Sequence, residues 1–182
     1  MRLKLVAFTG PAGAGKSSAA KALVEDEGWR LVKFADPLKS MLRALYRFVD
    51  VPDDGIEARI EGRLKEVVDP ILMGLSPRHA MQTLGTEWGR DAMHPDLWVT
   101  LWKRRAWQLM DRGVGVVVDD CRFANEAAAV RELGGLIVRI NGRSQGLSAE
   151  HPSERIDLQP DVTILNDGDV RDLWQRALEF AT

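Results

Sequence analysis

A glycine-rich loop lies between an apolar run and a helical pattern close to the N-terminus. Residues 3–9 are mostly apolar and partly β-branched, which predicts a buried parallel strand rather than a helix. From Gly15 to Glu27, apolar residues recur at helical spacing, and Gly28 follows as a typical stop signal. This order of strand, loop and helix puts the backbone N–H groups of the loop at a helix N-terminus.

The loop reads Gly10-Pro-Ala-Gly-Ala-Gly-Lys16-Ser17 and fits the complete pattern G-x-x-x-x-G-K-[ST]. Glycines let the backbone curl so that its N–H groups converge on phosphate oxygens, and the helix dipole adds positive potential there. Lys16 then reaches the β- and γ-phosphates of ATP, and the Ser17 hydroxyl ligates Mg²⁺. The predicted ATP contacts are Gly10, Ala12, Gly13, Ala14, Gly15, Lys16, Ser17 and Ser18. The alternative is a glycine turn that only joins the strand to the helix.

Four further apolar runs predict strands at residues 31–35, 114–118, 136–140 and 162–166, with helical patterns between them. This alternation predicts an α/β fold in which helices cover both faces of a parallel five-stranded sheet, and the glycine loop in that setting is typical of the P-loop NTPase three-layer sandwich. Residues 36–112 form a predicted helical excursion that includes a helix capped by Asp36, a helical stripe over 56–71 and a helix that starts at Ser76-Pro77. No linker divides the chain, so we expect a single domain, residues 1–182.

Two acidic residues, Asp119 and Asp120, follow the third predicted strand. A carboxylate at this edge of a parallel sheet can hold Mg²⁺ beside the glycine loop, and Asp119 is the preferred candidate. Asp120 has the alternative role of capping the next helix. Arg122 lies at the same edge and can pair with a substrate phosphate; its alternative is a surface salt bridge with Glu126, four residues later.

Polar residues recur every four positions along the helix that follows Ser76-Pro77. Arg78 and Arg90 offer guanidinium groups for a phosphate, and Gln82 offers an amide for a base edge, which together suit a nucleoside monophosphate. The alternative is a solvated helix face. Of the six tryptophans, Trp98 and Trp102 are the ones considered for a ligand, although tryptophans more often pack in a core.

Residues 141–159 form a polar stretch that contains Arg143 and Arg155 and closely follows Arg139. Such a stretch can act as a lid that closes cations over a transferring phosphoryl group and excludes water. A plain surface loop is the alternative.

The bulk properties exclude several classes of protein. The formal net charge of −2 gives no overall attraction to polymeric nucleic acid or to a membrane, and no apolar run approaches the length of about 20 residues that a membrane span requires. A single cysteine, Cys121, excludes an internal disulfide and fits a reducing compartment, so a cytoplasmic location is expected. The sequence leaves the oligomeric state open, a homodimer included.

Four strings outside the glycine loop resemble the bacteriophage-type deoxynucleoside monophosphate kinases, a branch of the P-loop NMP-kinase-like proteins. Together with the loop they spread over nearly the whole chain, and the combination is far more selective than the loop alone. The strings are Phe-Ala-Asp-Pro-Leu-Lys at 34–39, Met-Gln-Thr-Leu-Gly-Thr-Glu-x-Gly-Arg at 81–90, Asp-Asp-Cys-Arg-Phe-x-Asn-Glu-Ala at 119–127 and His-Pro-Ser-Glu at 151–154.

The resemblance implies transfer of the ATP γ-phosphoryl group to a deoxynucleoside 5′-monophosphate, with ATP and Mg²⁺ as cofactors. It implies that Lys16, Asp119, Arg122 and the lid residue Arg143 serve catalysis, with Ser17 and Asp119 as metal ligands. It also implies an acceptor site that uses Asp36, Lys39, Arg78, Gln82, Arg90, Trp98, Asp120 and Arg122. If the chain is encoded by a phage, the cytoplasm is that of the host.

Two other functions stay open at the level of the sequence. Animal phosphomevalonate kinases are similar in the same segments, so the acceptor can be another small phosphorylated molecule. A regulatory protein that binds nucleotide without catalysis is the second alternative, and the absence of a partner-binding appendage in the sequence counts against it.

Overall fold

Strands and helices alternate in the computed structural model, which describes residues 3–142 and 158–181. The strands are β1 (Leu5–Thr9), β2 (Arg30–Leu31), β3 (Val116–Val118), β4 (Leu136–Gly142) and β5 (Val162–Asn166). The α-helices are α1 (Lys16–Glu27), α2 (Asp36–Phe48), α3 (Asp53–Ile60), α4 (Pro77–Thr83), α5 (Leu97–Asp111), α6 (Ala124–Glu132) and α7 (Val170–Leu178). A π-helix spans Leu84–Met93, and short 3₁₀ turns span Pro70–Leu72 and Glu179–Ala181.

The five strands of the described residues form one sheet in the order β2-β3-β1-β4-β5. Every pairing is parallel, with Leu5 of β1 opposite Val116 and Val6 opposite Leu136. All residues of β1 are buried, as expected for a strand at the centre of a parallel sheet. The predicted α/β class with a parallel five-stranded sheet is confirmed.

Helices cover both faces of this sheet. Alternate strand residues such as Val6 and Phe8 join α1 and α7 in one apolar cluster. The residues between them, such as Leu5 and Ala7, are equally buried and point to the opposite face. On that face Val130 of α6 lies beside Leu5, because a Cβ built on Gly135 meets both side chains within 2.8 Å.

The chain divides into two compact units. The first contains the sheet and comprises the described residues up to Phe34 and from Trp102 onward, and the second is Ala35–Leu101. The second unit has its own apolar core, formed by Leu38, Leu42, Tyr46, Ile56, Ile60, Met81 and Trp98.

Three local predictions are wrong. Asp36 is the first residue of α2 and Ala35 is its N-cap, so Asp36 does not cap the helix from outside. The stripe over 56–71 is α-helical only as far as Ile60, because the Gly62 N–H returns to the Glu57 carbonyl oxygen and ends α3. The second strand is shorter than predicted, because the Phe34 N–H bonds to the Asp120 side chain instead of a strand carbonyl.

Asp69 ties together the irregular part of the second unit. This residue is 4% exposed, and its carboxylate accepts hydrogen bonds from Tyr46 Oη and Arg59 Nε, both at 2.8 Å, and from the Ile71 N–H at 3.0 Å. Burial alone would raise the pKa of Asp69, but these three donors outweigh it and lower the pKa. Burial and the bond to Asp69 raise the pKa of Tyr46, so its phenol stays a donor.

We expect Asp69→Asn to lower the free energy of unfolding by about 2 to 3 kcal/mol, because Arg59 and Tyr46 lose their buried charged acceptor. Asp53→Asn is the matched control: that side chain is 80% exposed and pairs with Arg47, so about 1 kcal/mol or less is expected. Chemical denaturation measures both. Equal losses in the two variants would contradict a special role for Asp69.

The same carboxylate makes the stability depend on pH. Because its pKa is lower in the folded chain than in the unfolded chain, its contribution is complete above the ordinary Asp pKa of about 4 and is lost as the pH falls below it. Between about pH 5 and pH 2, Asp69→Asn should therefore lose less stability than the native sequence.

Candidate active site

The loop between β1 and α1 has a backbone that only glycines adopt readily. Gly10, Gly13 and Gly15 have φ angles of +133°, +76° and +105°. A Cβ on Gly10 would lie 2.4 Å from the Ile140 carbonyl oxygen, so this position also requires a glycine for space. Gly15 is the N-cap of α1, and it makes no side-chain capping bond. The first N–H groups of α1 are thus suited to an anion.

Two sets of contacts shape this loop, one from the sheet and one within the loop itself. Asn166, at the carboxyl end of β5, donates its Nδ2 to the Ala14 carbonyl oxygen at 3.0 Å. Lys16 Nζ donates to the carbonyl oxygens of Gly10 and Pro11 at 2.8 and 2.7 Å, so its ammonium lies over the loop. Asn166 was not identified from the sequence; its signal is a polar residue at the end of a parallel strand, the edge where α/β proteins bind ligands.

Asp119 follows β3 directly and lies beside the loop. Its side chain is 3% exposed, and its Oδ2 accepts a hydrogen bond from Ser17 Oγ at 2.8 Å and lies 3.3 Å from Lys33 Nζ. Its Oδ1 is buried and has no hydrogen-bond donor among the residues that the structure describes. The structure thus brings together the two residues predicted to be metal ligands.

The residues at this point suit Mg²⁺. In proteins Mg²⁺ is commonly bound through one or two carboxylates together with substrate phosphates, not by a cage of protein ligands. The Oδ1 of Asp119 supplies a buried anionic oxygen, and Ser17 supplies a hydroxyl at the same place. Within residues 3–142 and 158–181 there is no cluster of three or more His, Cys, Asp or Glu side chains for a metal ion.

Glu126 fixes the segment that carries the other polar candidates of the first unit. Its side chain accepts from the N–H groups of Arg122 at 2.8 Å and Phe123 at 3.1 Å, and the residue is 2% exposed. Glu126 therefore closes the start of α6, and Asp120, the predicted alternative cap, instead accepts the Phe34 N–H at 3.0 Å. The Arg122 side chain is exposed.

Basic residues gather in the second unit. Lys39 is 7% exposed and its Nζ lies 2.6 Å from Glu61 Oε1, while Arg78 Nε lies 2.5 Å from Glu66 Oε1. Burial, and then the charges of Arg78 and Lys39, lower the pKa of Lys65. The sequence pattern does not identify Lys65 as a site residue, because it is one of several charged residues between the apolar positions of the predicted helix over 56–71.

The helix with the polar stripe changes its winding partway. It starts as predicted, with Ser76 Oγ accepting the His79 N–H at 3.2 Å. After Thr83 it becomes the π-helix, whose hydrogen bonds run from i to i+5. The predicted stripe therefore continues from an α-helix into a π-helix, with Gln82 on α4 and Arg90 on the π-helix. Gln82 is exposed and Arg90 half-buried.

The π-helix is wrapped around Trp98. The indole Nε1 donates to the Gly85 carbonyl oxygen at 2.8 Å, and a Cβ on Gly89 would lie 2.4 Å from the ring. Trp98 itself is 2% exposed, so it is a core residue against which this helix packs. In the first unit, the Nε1 of Trp102 donates to the Val32 carbonyl oxygen at 2.9 Å and its ring packs on Phe34, which is also a packing role.

The predicted lid lies largely beyond what the structure describes. Arg143 and Arg155, like His151, fall outside the described residues. Arg139 lies on β4, and its Nε donates to Asn141 Oδ1 at 3.2 Å.

Within the residues that the structure describes, no helix combines the length and the apolar character that crossing a membrane requires.

Comparison with solved structures agrees with the fold. The APS kinase of Mycobacterium tuberculosis matches with a TM-score of 0.52, at 18% identity, over 98% of this chain and 96% of that one. At that identity the match concerns architecture alone, a P-loop kinase fold with a parallel sheet between helices.

Comparison with sequences is more specific. A protein of Acanthamoeba polyphaga mimivirus named as a deoxynucleotide monophosphate kinase is 28% identical over 188 residues, 96% of this chain and 94% of that protein. The deoxynucleoside-5′-monophosphate kinase of Escherichia phage T5 is 31% identical over 87 residues, 44% of this chain and 34% of that protein. The family model of deoxynucleotide monophosphate kinases matches residues 48–177, beyond the glycine loop. The chain therefore belongs to the deoxynucleotide monophosphate kinase family.

Proposed function

We propose that this chain transfers the γ-phosphoryl group of ATP to a deoxynucleoside 5′-monophosphate, giving the deoxynucleoside diphosphate and ADP. The observation that carries the proposal is the contact of Ser17 with Asp119 at 2.8 Å, beside an uncapped helix N-terminus and with one carboxylate oxygen buried and without a donor in the described residues. This arrangement suits a magnesium–triphosphate complex. Membership of the family supports the choice of acceptor.

Donor binding would use residues of the first unit. Bound Mg²⁺, held by Ser17 and Asp119, would neutralise charge on the β- and γ-phosphates. Lys16 Nζ would exchange the carbonyl oxygens of Gly10 and Pro11 for phosphate oxygens, and the N–H groups at the start of α1 would donate to the same phosphates. The loop is already shaped by its glycines and by Asn166, so little reorganisation of its backbone is required.

The reaction needs no strong general base. The attacking oxygen of the acceptor phosphate is already anionic, so alignment and charge neutralisation are sufficient for in-line transfer. We assign charge neutralisation to Lys16, Arg122 and the proposed lid residue Arg143. Exclusion of water by the lid would prevent transfer to water instead of to the acceptor.

The second unit carries most of the proposed acceptor contacts. Its cationic cluster of Lys39, Lys65 and Arg78 favours a phosphate dianion, which would compete with Glu61 and Glu66 for these side chains. Trp98 would act indirectly, by supporting the π-helix. The full proposed set is Asp36, Lys39, Arg78, Gln82, Arg90, Trp98, Asp120 and Arg122.

We expect Lys16→Ala to lower kcat by about 10³-fold, because the main cation on the transferred phosphates is lost. Lys21→Ala is the control: Lys21 lies on the same helix with an exposed side chain paired to Glu25, and its loss should leave kcat unchanged. Product formation from ATP and a panel of dNMPs, NMPs and other phosphorylated acceptors measures both variants. Phosphorylation of a different acceptor class, or ATP hydrolysis alone, would contradict the proposed reaction.

Arg90→Ala should raise the acceptor KM about tenfold or more and leave the KM for ATP unchanged, because a charged contact to the acceptor is removed. Arg90→Lys should restore only part of the lost acceptor binding, since an ammonium lacks the planar arrangement of donors of a guanidinium group. Arg47→Ala, at an exposed pair with Asp53, serves as the control in the same unit. An unchanged acceptor KM in folded Arg90→Ala would remove Arg90 from the site.

Gly89→Ala should displace the π-helix, because its Cβ would overlap the Trp98 ring. Gly85→Ala is matched to it, since that Cβ would lie 3.4 Å from the nearest atom, Leu38 Cδ2. We therefore expect a raised acceptor KM and a lower Tm for Gly89→Ala, and smaller changes for Gly85→Ala, by steady-state kinetics and thermal unfolding. The reverse order would show that close packing on Trp98 is not required.

A further inference from the structure

Lys33 places a second positive charge beside the carboxylate of Asp119. Its Nζ lies 3.3 Å from Asp119 Oδ2, and the two side chains are 23% and 3% exposed. Lys33 belongs to no motif of the glycine loop, and it lies upstream of the residues matched by the family model. The proposed function assigns Lys33 no role at the metal site, although its ammonium lies beside the carboxylate of Asp119.

The backbone around Lys33 is fixed on both sides. The preceding Val32 N–H donates to the Val117 carbonyl oxygen at 2.9 Å, and the following Phe34 N–H donates to Asp120 Oδ1 at 3.0 Å. Both acceptors belong to β3 or to the residues directly after it. Because the chain is anchored before and after Lys33, the fold holds the root of this side chain within reach of Asp119, in contrast to an exposed surface pair.

The oxygen that Lys33 approaches is also the oxygen that Ser17 uses. Asp119 Oδ2 accepts from Ser17 Oγ at 2.8 Å, and Ser17 and Asp119 are the proposed metal ligands. A lysine ammonium is a compact point charge on a flexible stem, so it can pair with a carboxylate and withdraw without a change in the backbone. Mg²⁺ that approaches the Asp119 carboxylate therefore encounters the Lys33 ammonium, which already pairs with the same group.

We propose that Lys33 is the counter-cation of Asp119 before the metal–nucleotide complex binds, and that Mg²⁺ takes over this role when the complex arrives. Lys33 is then a positioning residue that sets how much free Mg²⁺ the site requires. The inference rests on the proposed function only in its use of a magnesium–nucleotide complex. It does not depend on the identity of the acceptor.

The sign of the effect follows from electrostatics. Removing a positive charge next to a mostly buried carboxylate makes the local potential more negative, so the site binds Mg²⁺ more strongly. The same removal weakens binding of a metal-free nucleotide, because an anion loses an attractive charge. A lysine that only supported the fold would give neither of these opposite changes.

The test measures binding of a non-hydrolysable ATP analogue by calorimetry as free Mg²⁺ is varied, with no acceptor present. In Lys33→Met we expect the half-saturating Mg²⁺ concentration to fall about tenfold, while affinity for the analogue in EDTA also falls. Lys33→Arg keeps the charge and should resemble the native sequence. Lys21→Met, an exposed lysine on α1, is the control and should change neither value.

A double variant locates the effect. In an Asp119→Asn background, Lys33→Met should no longer shift the Mg²⁺ dependence, because the carboxylate that couples the two cations is absent. An unchanged or increased Mg²⁺ requirement in folded Lys33→Met, or an equal shift in the Asp119→Asn background, would overturn the inference. Failure to phosphorylate any dNMP would instead refute the proposed function, since these binding measurements contain no acceptor.

Discussion

The parallel pairing of β1 with both β3 and β4 is the constraint on which the first unit depends. Because β1 is buried on both faces and bonded on both edges, its direction fixes the directions of its neighbours. Parallel strands end at one edge, so the glycine loop, Asp119 and Asn166 come together although they are far apart in sequence. The contacts of Ser17 with Asp119 and of Asn166 with Ala14 are consequences of this one arrangement.

Much of the first unit could be predicted from the sequence. The burial of a parallel sheet gives continuous apolar runs, and the glycine loop needs glycines at set positions, so both leave strong local signals. Residues 162–166 form β5 as predicted, and Asp119 contacts Ser17. Lys33 and Asn166 left no comparable signal, because their roles come from chain segments that meet only in the folded sheet.

The second unit was harder to predict for a physical reason. Its winding is decided by tertiary contacts, which override the periodic pattern. The charges and apolar residues over 56–71 fit a helix, yet the segment after Ile60 is irregular, and Asp69 bonds it to Tyr46 of α2 and Arg59 of α3. The π-helix likewise depends on Trp98 packing on Gly89, a contact that periodicity does not encode.

The bond between Asn166 and the Ala14 carbonyl also bears on the order of folding. It joins residues 152 positions apart, and a Cβ at Gly15 would meet both Asn166 and Leu173 of α7. During synthesis, the glycine loop emerges from the ribosome long before β5 and α7, the elements that hold it in shape. A nascent chain that carries the whole glycine loop therefore lacks the bond from Asn166 and the packing of Leu173 until residues 162–173 have docked.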